Sequence, residues 1–217
     1  MYMKKKILIV GSNSDIAKTL MFGDKFDFIG LSSQTSNFNI LDKTTFPKIE
    51  EIDGLVYFPG SINLKPFNSL KKDDFSNDYE INVMGLINIL QYYHSNLNKN
   101  SSLVFISSIA ATVGLKFHAS IAMCKAAIEG LTRTLAAEFS PKIRVNCISP
   151  AIIETKLSNR ILRNETIKNQ IINDNPMKRI GKPDDIAHAI EFLLSNKSSW
   201  ITGQSINIDG GLNNLKI

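Results

Sequence analysis

Short apolar runs alternate with longer amphipathic segments along this chain, and the alternation limits the folds that it can adopt. Apolar runs of strand length separated by helical patterns indicate a parallel sheet whose two faces are both covered by helices. Because crossovers between parallel strands are right-handed, the pattern predicts an α/β fold with a doubly wound, Rossmann-type sheet. The runs are KKILIV (5–10), FDFIGL (26–31), DGLVYF (53–58), SSLVFIS (101–107), IRVNCIS (143–149) and QSINID (204–209), and the helical patterns lie near 70–97, 119–139 and 183–195.

The segment between Leu31 and Asp53 carries a weaker pattern than the rest of the chain. It has room for a short strand near SNFNI (36–40) and a small helix at DKTTFPKIE (42–50), but not for a full helix. With the clear runs, this strand predicts a sheet of about seven strands. A chain of 217 residues that is 43% hydrophobic can bury one core, so we predict a single domain over 1–217.

Charge and cysteine content exclude several classes of function. The formal net charge of +5 rests partly on Lys4, Lys5 and Lys6, without the dense basic stripe of a nucleic-acid-binding protein. The two cysteines form no CxxC pair and lie near no histidine cluster, so we expect no metal site and a reducing, cytoplasmic location. The apolar run at 7–10 is too short to cross a membrane. We therefore expect neither nucleic acid nor a membrane as a partner.

The segment IVGSNSDIA (9–17) links the first predicted strand to the first helix and is a candidate dinucleotide site. A glycine here lets the backbone approach a pyrophosphate, which the free N–H groups of a helix N-terminus can hold. Only Gly11 remains of a three-glycine fingerprint, since Asp15 and Ala17 occupy the other positions. An ordinary strand-to-helix turn stays open as the alternative, because Asp15 disfavours a phosphate unless its carboxylate points away. The candidate cofactor-binding residues are Gly11, Ser12, Ser14, Asp15 and Ile16.

The end of the second predicted strand bears on the form of the dinucleotide. NAD-binding sites place a carboxylate there for the ribose 2′-hydroxyl, and NADP-binding sites place a basic group near the 2′-phosphate. This chain has GLSSQ (30–34), which contains neither kind of side chain. Serine hydroxyls bind either form, so NADP and NAD both stay open, and we prefer NADP.

A series of motifs follows in order along nearly the whole chain. They are GSNSDIA (11–17), LVYFPG (55–60), NVMG (82–85), ISSIA (106–110), KAAIEGLTRTLAAEFSPKIRVNCISPAIIET (125–155), NPMKRIGKPDDIAHAIEFLLS (175–195) and WITGQSINIDGG (200–211). Together they resemble the short-chain dehydrogenase/reductase family, especially its 3-oxoacyl-carrier-protein reductase-like members. Two places depart from the family pattern: LVYFPG keeps only the glycine of an Asn-Asn-Ala-Gly strand end, and Ala151 replaces the glycine after Pro150.

The resemblance implies roles for individual residues. In the family a serine polarises the substrate oxygen, an asparagine holds a proton-relay water, and a lysine lowers the pKa of a tyrosine acid. Ser108 matches the serine, Asn82 the asparagine and Lys125 the lysine. The lysine also reaches the nicotinamide ribose in family members. The other positions that match cofactor contacts are Ile40 and Gly60, near the adenosine half, and Ile153 and Thr155, near the carboxamide.

Ile121 stands where the family has its proton-donating tyrosine, four residues before Lys125, and isoleucine cannot donate a proton. No tyrosine occurs after Tyr93, so a shift of register does not restore the motif. One alternative is His118, seven residues before the lysine, which is the tyrosine spacing of the enoyl reductases in this superfamily; an imidazole can act as a general acid. In the second alternative, Ser108, Lys125 and water supply the proton more slowly. In the third, the chain is a non-catalytic dinucleotide-binding sensor or structural subunit.

Residues 155–180 have a helical pattern where the family carries a mobile substrate lid. Lys156, Arg160 and Arg163 are spaced by four and three, which places them on one helix face. A positive face at a substrate entrance suits an acyl-carrier-linked or CoA-linked substrate through electrostatic steering. An ordinary solvated face is the alternative, and a small-molecule substrate is compatible with either.

Apolar surface predicts two further properties. Leu115, Phe117 and Ile121 are compatible with a wall for an acyl chain. The helices at 70–97 and 119–139 are apolar on more than one side, which, with the resemblance, predicts a homodimer or homotetramer. The resulting hypothesis is an NAD(P)-dependent oxidoreductase that reduces a 3-oxoacyl-like carbonyl with a divergent proton donor.

Overall fold

A single parallel sheet organises the protein. The computed structural model describes residues 4–34 and 37–216, and within them the sheet has 6 strands in the order β2-β1-β3-β4-β5-β6. Every neighbouring pair of strands is parallel, so each connection crosses over a face of the sheet. The strands are β1 (Lys6–Val10), β2 (Asp27–Leu31), β3 (Ile52–Tyr57), β4 (Leu97–Ile106), β5 (Arg144–Pro150) and β6 (Ser205–Ile208).

The helices begin and end where local sequence signals direct. α4 ends as the chain approaches Pro141, which disfavours helical backbone at the residue before it. α7 begins with Pro183 in its first turn, and the Asp185 carboxylate accepts a hydrogen bond from the backbone N–H of Lys182 at 2.7 Å. The helices are α1 (Asp15–Met21), α2 (Lys72–Tyr79), α3 (Gly85–Tyr93), α4 (Ala119–Phe139), α5 (Asn159–Leu162), α6 (Glu165–Asp174) and α7 (Pro183–Leu194).

Helices cover both faces of the sheet, as the alternating pattern predicts. Successive strand residues point to opposite faces, so Leu8 belongs to one buried cluster and Ile9 to the other. The first cluster joins the sheet to α3 and α4, through side chains such as Leu86 and Ile128. The second joins it to α1 and α7, and includes Ile186. The prediction of a doubly wound Rossmann-type fold is confirmed.

The prediction of about seven strands was wrong by one, because the segment near SNFNI forms no strand within its described residues 37–40. Backbone N–H groups there donate to side-chain oxygens rather than to a neighbouring strand. Asn39 Oδ1 accepts from the N–H of Leu41 at 3.0 Å, and the N–H of Asn39 donates to Thr45 Oγ1 at 2.9 Å. Phe38 is buried against Phe46, with ring centroids 5.2 Å apart. The small helix expected at 42–50 is a single 3₁₀ turn, Lys43–Thr45.

The long helix predicted at 70–97 is divided by a π turn, Glu80–Met84, which lies between α2 and α3. Gly85 follows this turn and allows close approach to the sheet, since an added Cβ would lie 2.4 Å from the Tyr57 hydroxyl. That hydroxyl donates to the carbonyl oxygen of Ile81 at 2.6 Å. The interruption therefore holds the middle of the segment against β3. Within residues 4–34 and 37–216, no helix has both the length and the apolar character needed to cross a membrane.

Candidate active site

The candidate site lies at the carboxyl ends of β3 and β4, where ligands bind in sheets of this kind. The loop after β3 contributes Gly60, the loop after β4 contributes Ser108, and α4 brings Lys125 beneath them. Asn82 comes from the π turn. Turns of this kind are frequent at functional sites, because they place a side chain that a regular helix would direct elsewhere.

Lys125 is buried at the floor of the site. Only 9% of the residue is exposed, and its ammonium donates to the carbonyl oxygen of Ile106, the last residue of β4, at 2.9 Å. Desolvation by burial lowers the pKa of Lys125 to about 8, while the nearby Cys124, Asp78 and Cys147 act in the opposite direction. The amine can therefore gain or release a proton near neutral pH.

Asn82 carries an unused acceptor into the same place. The residue is fully buried, and its side-chain Nδ2 donates to the carbonyl oxygen of Asp78 at 2.9 Å and to Ser61 Oγ at 3.2 Å. Its Oδ1 accepts no hydrogen bond from any of the described residues. A buried polar atom of this kind is uncommon in a folded protein and marks a place where a ligand or water binds.

The lysine and the asparagine converge over Gly60. A Cβ added to this glycine would lie 3.2 Å from Asn82 Oδ1 and 3.7 Å from Lys125 Nζ. The donor and the acceptor thus flank one small space that the glycine leaves open. This arrangement can hold an oxygen-bearing group and move a proton at it.

Asp78 lies behind this pair and was not anticipated from the sequence. Its carboxylate is fully buried and accepts from Ser61 Oγ at 2.5 Å, Asn63 Nδ2 at 3.0 Å and Ser120 Oγ at 2.6 Å. The only sequence signal was its position four residues before Asn82, on the same side of the helical segment.

Ser108 is the second residue after β4 and is half-buried. Its hydroxyl oxygen accepts from the N–H of Ala110 at 3.2 Å and so caps the 3₁₀ turn Ile109–Ala111. The hydroxyl hydrogen can still donate, as polarisation of a substrate oxygen would require. Ser107, the residue before it, points to the other side and donates to Glu129 Oε1 at 3.0 Å.

His118 opens on a neighbouring cavity. The residue immediately precedes α4, and its Nδ1 lies 2.7 Å from the carbonyl oxygen of Lys116. The cavity has a volume of about 390 Å³ and is lined by Leu115 and Phe117 but by neither Ser108 nor Lys125. If Nδ1 carries the proton for that contact, Nε2 is an acceptor and gains a proton only in the charged form.

Ile121 does not contribute to that cavity. Only 4% of the residue is exposed, whereas Leu115 and Phe117 line the cavity and are exposed at its entrance. The apolar wall expected from all three residues is therefore reduced to two. Isoleucine at this position is a core residue of the helix.

At one residue, Gly11, the glycine-rich turn has the geometry that a dinucleotide site needs. Gly11 has φ +81°, and an added Cβ would lie 3.0 Å from Pro59 Cδ, so only glycine fits without strain. Ser14 caps α1 by accepting from the N–H of Ala17 at 3.1 Å. Ser12 lies in the turn itself, and Ile16 packs into the second cluster.

The Asp15 carboxylate forms a hydrogen bond outside its own helix. Its Oδ2 accepts from the backbone N–H of Lys156 at 2.7 Å, which connects the glycine-rich turn to the start of the predicted lid. The carboxylate still lies on the first turn of α1, where the pyrophosphate of a dinucleotide would lie in a Rossmann site.

The predicted lid contains two short helices, α5 and α6. The backbone before them is fixed by Ser158, which accepts from the N–H of Thr155 at 3.0 Å, and by a bridge from Ile153 to Gly181. Ile153 is buried and Thr155 is half-buried. Lys156, Arg160 and Arg163 are all exposed to solvent, but the prediction that they share one helix face was wrong, because α5 is a single turn that contains only Arg160.

Two further features concern cofactors. Ile40 packs against Gly85 of α3, and its carbonyl oxygen accepts from Asn88 Nδ2 at 3.1 Å. No group of three or more His, Cys, Asp or Glu side chains that could hold a metal ion occurs in the described part of the chain.

The chain is similar in sequence to known proteins over most of its length. Residues 33–213 match the family described as enoyl-(acyl carrier protein) reductase. Tropinone reductase-like 3 of Erythroxylum coca is 35% identical over 208 residues, which cover 92% of this chain and 79% of that protein. The 3-oxoacyl-[acyl-carrier-protein] reductase FabG of Thermotoga maritima is 34% identical over 168 residues, which cover 76% of this chain and 68% of that protein.

A solved structure shows the same fold. A small-chain dehydrogenase in complex with NADPH superposes with a TM-score of 0.89 at 24% identity, over 97% of this chain and 99% of that chain. Sequence matches at this level over most of the chain show common descent with dehydrogenases and reductases. The chain belongs to the short-chain dehydrogenase/reductase family.

Proposed function

We propose that the protein is an NAD(P)-dependent oxidoreductase that reduces a carbonyl substrate of the 3-oxoacyl kind by hydride transfer. One observation carries the proposal: the Lys125 ammonium and the free Asn82 Oδ1 flank the same space over Gly60. A non-catalytic dinucleotide-binding protein would not need a lysine with its pKa near 8 beside an unpaired buried acceptor. That second function remains the alternative, and Ile121 is the observation that favours it.

A nicotinamide dinucleotide fits the residues present. The left-handed backbone of Gly11 forms the turn before α1 at which its pyrophosphate would bind, with Ser12, Ser14 and Ile16 beside it. Ile153 and Thr155 would hold the carboxamide, and Lys125 would hold the nicotinamide ribose. Ile40 would lie near the adenosine half, whereas Gly60, expected there too, lies beside Lys125 instead. When bound, the reduced nicotinamide supplies the hydride.

We prefer NADP to NAD as the cofactor. GLSSQ at the end of β2 has no carboxylate for the 2′-hydroxyl, and the similar solved dehydrogenase contains NADPH. Asn13 Nδ2 donates to Ser32 Oγ at 2.8 Å and to the Gln34 side chain at 3.0 Å, so polar side chains surround this end of the site.

Separate side chains of the protein would bind the substrate carbonyl oxygen and donate the proton to it. Ser108 donates a hydrogen bond to the substrate carbonyl oxygen, and Asn82 Oδ1 orients a polar group beside it. Lys125 holds a proton on Nζ, beside that oxygen, and is the preferred proton donor because its pKa is about 8. His118 is the second candidate donor, because it is half-buried at the neighbouring cavity.

Two observations, on the lid and on the relatives, support the proposed substrate class. Exposed Lys156, Arg160 and Arg163 on residues 155–180 suit a phosphate-bearing acyl carrier or CoA. The FabG relative is named for reduction of a carrier-linked 3-oxoacyl group, and the tropinone reductase-like relative for a small ketone. We propose a cytoplasmic homodimer or homotetramer, formed as one domain, with no metal, nucleic acid or membrane involved.

The test follows nicotinamide absorbance with NADPH or NADH and a panel of 3-oxoacyl, 2-enoyl and simple ketone substrates. We expect turnover of a 3-oxoacyl substrate by wild type, and a loss of roughly 10²–10⁴-fold in Lys125→Met, which is typical when a general acid is removed. Retained activity in His118→Ala assigns the proton to Lys125, and lost activity assigns it to His118. Tight NADPH binding without turnover, together with activity gained in Ile121→Tyr, would reject the enzyme and establish the binding protein.

A further inference from the structure

A fully buried carboxylate lies behind the candidate site and has no role in the mechanism above. Asp78, on α2, accepts three side-chain hydrogen bonds, from Ser61, Asn63 and Ser120. Burying a carboxylate costs desolvation free energy, and hydrogen bonds to neutral side chains offset only part of that cost. Its position suggests that the charge acts on a nearby group.

The cluster connects Asp78 to Asn82 by two routes. The Ser61 hydroxyl donates to the Asp78 carboxylate, and its Oγ in turn accepts from Asn82 Nδ2 at 3.2 Å. The backbone carbonyl of Asp78 also accepts from Asn82 Nδ2, at 2.9 Å. Both contacts hold the amide nitrogen, so the Oδ1 atom is left turned toward Gly60 and Lys125.

Asp78 also lies near Lys125, although no hydrogen bond joins the two side chains. Ser120, which donates to Asp78, lies on α4 five residues before the lysine. The negative charge of Asp78 raises the pKa of Lys125 and so opposes the larger effect of desolvation. The other ionisable groups that act on the ammonium are Cys124 of the same helix and Cys147 of β5, and both thiols are buried.

We propose that Asp78 is a positioning residue for both Asn82 and Lys125. Its carboxylate fixes the Asn82 amide through the Ser61 hydroxyl, and its negative charge lies behind the space that Asn82 and Lys125 flank. The proposal rests on the proposed function, since it concerns the same site. It assigns a purpose to a buried charge in a chain whose site lacks the tyrosine of its family.

The direct test is a pH titration of the Lys125 side chain by NMR on lysine-labelled protein, with the resonance assigned by its loss in Lys125→Met. We expect Asp78→Asn to move the titration midpoint to lower pH. The matched control is Asp53→Asn, which removes a half-buried, hydrogen-bonded carboxylate near the amino end of β3, at the opposite end of the sheet from Lys125. The control leaves the midpoint unchanged. An unchanged midpoint in Asp78→Asn overturns the proposal.

A second variant separates the two connections. Ser61→Ala keeps the charge but removes the bridge, so we expect an unchanged Lys125 midpoint, faster hydrogen exchange at the Asn82 side-chain amide and a fall in kcat larger than any change in KM. Normal exchange in Ser61→Ala overturns the positioning of Asn82. If Asp78→Asn does not fold, Asp78→Ser, smaller and neutral, takes its place. Titration and exchange need no turnover, so an inactive wild type rejects the proposed function and still leaves Asp78 to be decided.

Discussion

Asp15 Oδ2 and the backbone N–H of Lys156 form a 2.7 Å hydrogen bond between the glycine-rich turn and the start of the predicted lid. These residues lie 141 positions apart in sequence, and their segments are the ones proposed to hold the pyrophosphate and the carboxamide of the dinucleotide. The bond has two consequences. It restrains the start of the predicted lid, and it holds a negative charge where phosphates would bind.

Neutralising Asp15 should therefore strengthen cofactor binding. We expect Asp15→Asn to lower the Kd for NADPH by about fivefold, which corresponds to ~1 kcal/mol for charges near a protein surface. The measurement is a fluorescence titration at low and high salt, and the gain shrinks at high salt because exposed charges are screened. Asp184→Asn, an exposed acid in the first turn of α7, is the control and leaves the Kd unchanged. Weaker binding in Asp15→Asn would contradict this role.

Filling the space over Gly60 should impair catalysis without unfolding the protein. The added methyl of Gly60→Ala lies 3.2 Å from Asn82 Oδ1 and 3.7 Å from Lys125 Nζ, so it occupies the place proposed for a reacting oxygen. A misplacement on the order of 1 Å can cost ~10²-fold in rate, and we expect a loss of that order in kcat/KM.

Gly130→Ala provides the matched control for that change. An added Cβ there meets no atom within 4 Å, and the residue is in the middle of α4. Helix propensity predicts a gain of roughly 0.5–1 kcal/mol in the free energy of unfolding, with kcat/KM unchanged. Steady-state kinetics and thermal unfolding of both variants decide the point. Full activity in Gly60→Ala would place the reaction elsewhere.

The pH dependence of carbonyl reduction should report the protonation of Lys125. The pKa is lowered to about 8, so the ammonium is present below that pH and is lost as the pH rises through it. Because reduction consumes a proton, kcat/KM should fall above about pH 8. Lys125→Arg remains charged at every accessible pH and should lack this decline, whatever its absolute rate. A wild-type profile that stays level through that region, in rates measured with NADPH saturating, would exclude the lysine as the titrating group.

The segment that replaces the expected strand should matter for stability. Phe38 is 3% exposed and packs against Phe46, so Phe38→Ala should cost ~3–5 kcal/mol in the free energy of unfolding. Phe22 is 94% exposed, and Phe22→Ala should change the free energy of unfolding by less than about 0.5 kcal/mol. Urea denaturation compares the two, and equal effects would show that Phe38 is not part of the core.

Hydrophobic periodicity was enough to predict the sheet, because buried parallel strands and amphipathic helices have distinct spacings. The runs at β1 and β3, and the helix that became α4, all lie where the pattern indicated. At residues 37–40 the pattern failed, since Asn39 and Thr45 satisfy the backbone through their side chains, and such local competition does not alter hydrophobicity.

The candidate site was only partly accessible from the sequence. Motif order pointed to Asn82 and Lys125, and the structure places both beside Gly60. The cluster around Asp78 could not be anticipated, because it joins residues up to 42 positions apart, and a buried serine has the same sequence appearance as an exposed one. The bond from Asp15 to the lid spans 141 positions and has no local signature.

The most direct measurement is transfer of deuterium from NADPH labelled at the reactive carbon of the nicotinamide to a 3-oxoacyl substrate, followed by mass spectrometry of the product. The account predicts one deuterium in the 3-hydroxyacyl product with wild type, and a yield lower by roughly 10²-fold or more with Lys125→Met at the same protein concentration. Wild-type protein that binds NADPH tightly but transfers no deuterium to any carbonyl or enoyl substrate would contradict it. That result would identify the chain as a dinucleotide-binding protein on the scaffold of a reductase.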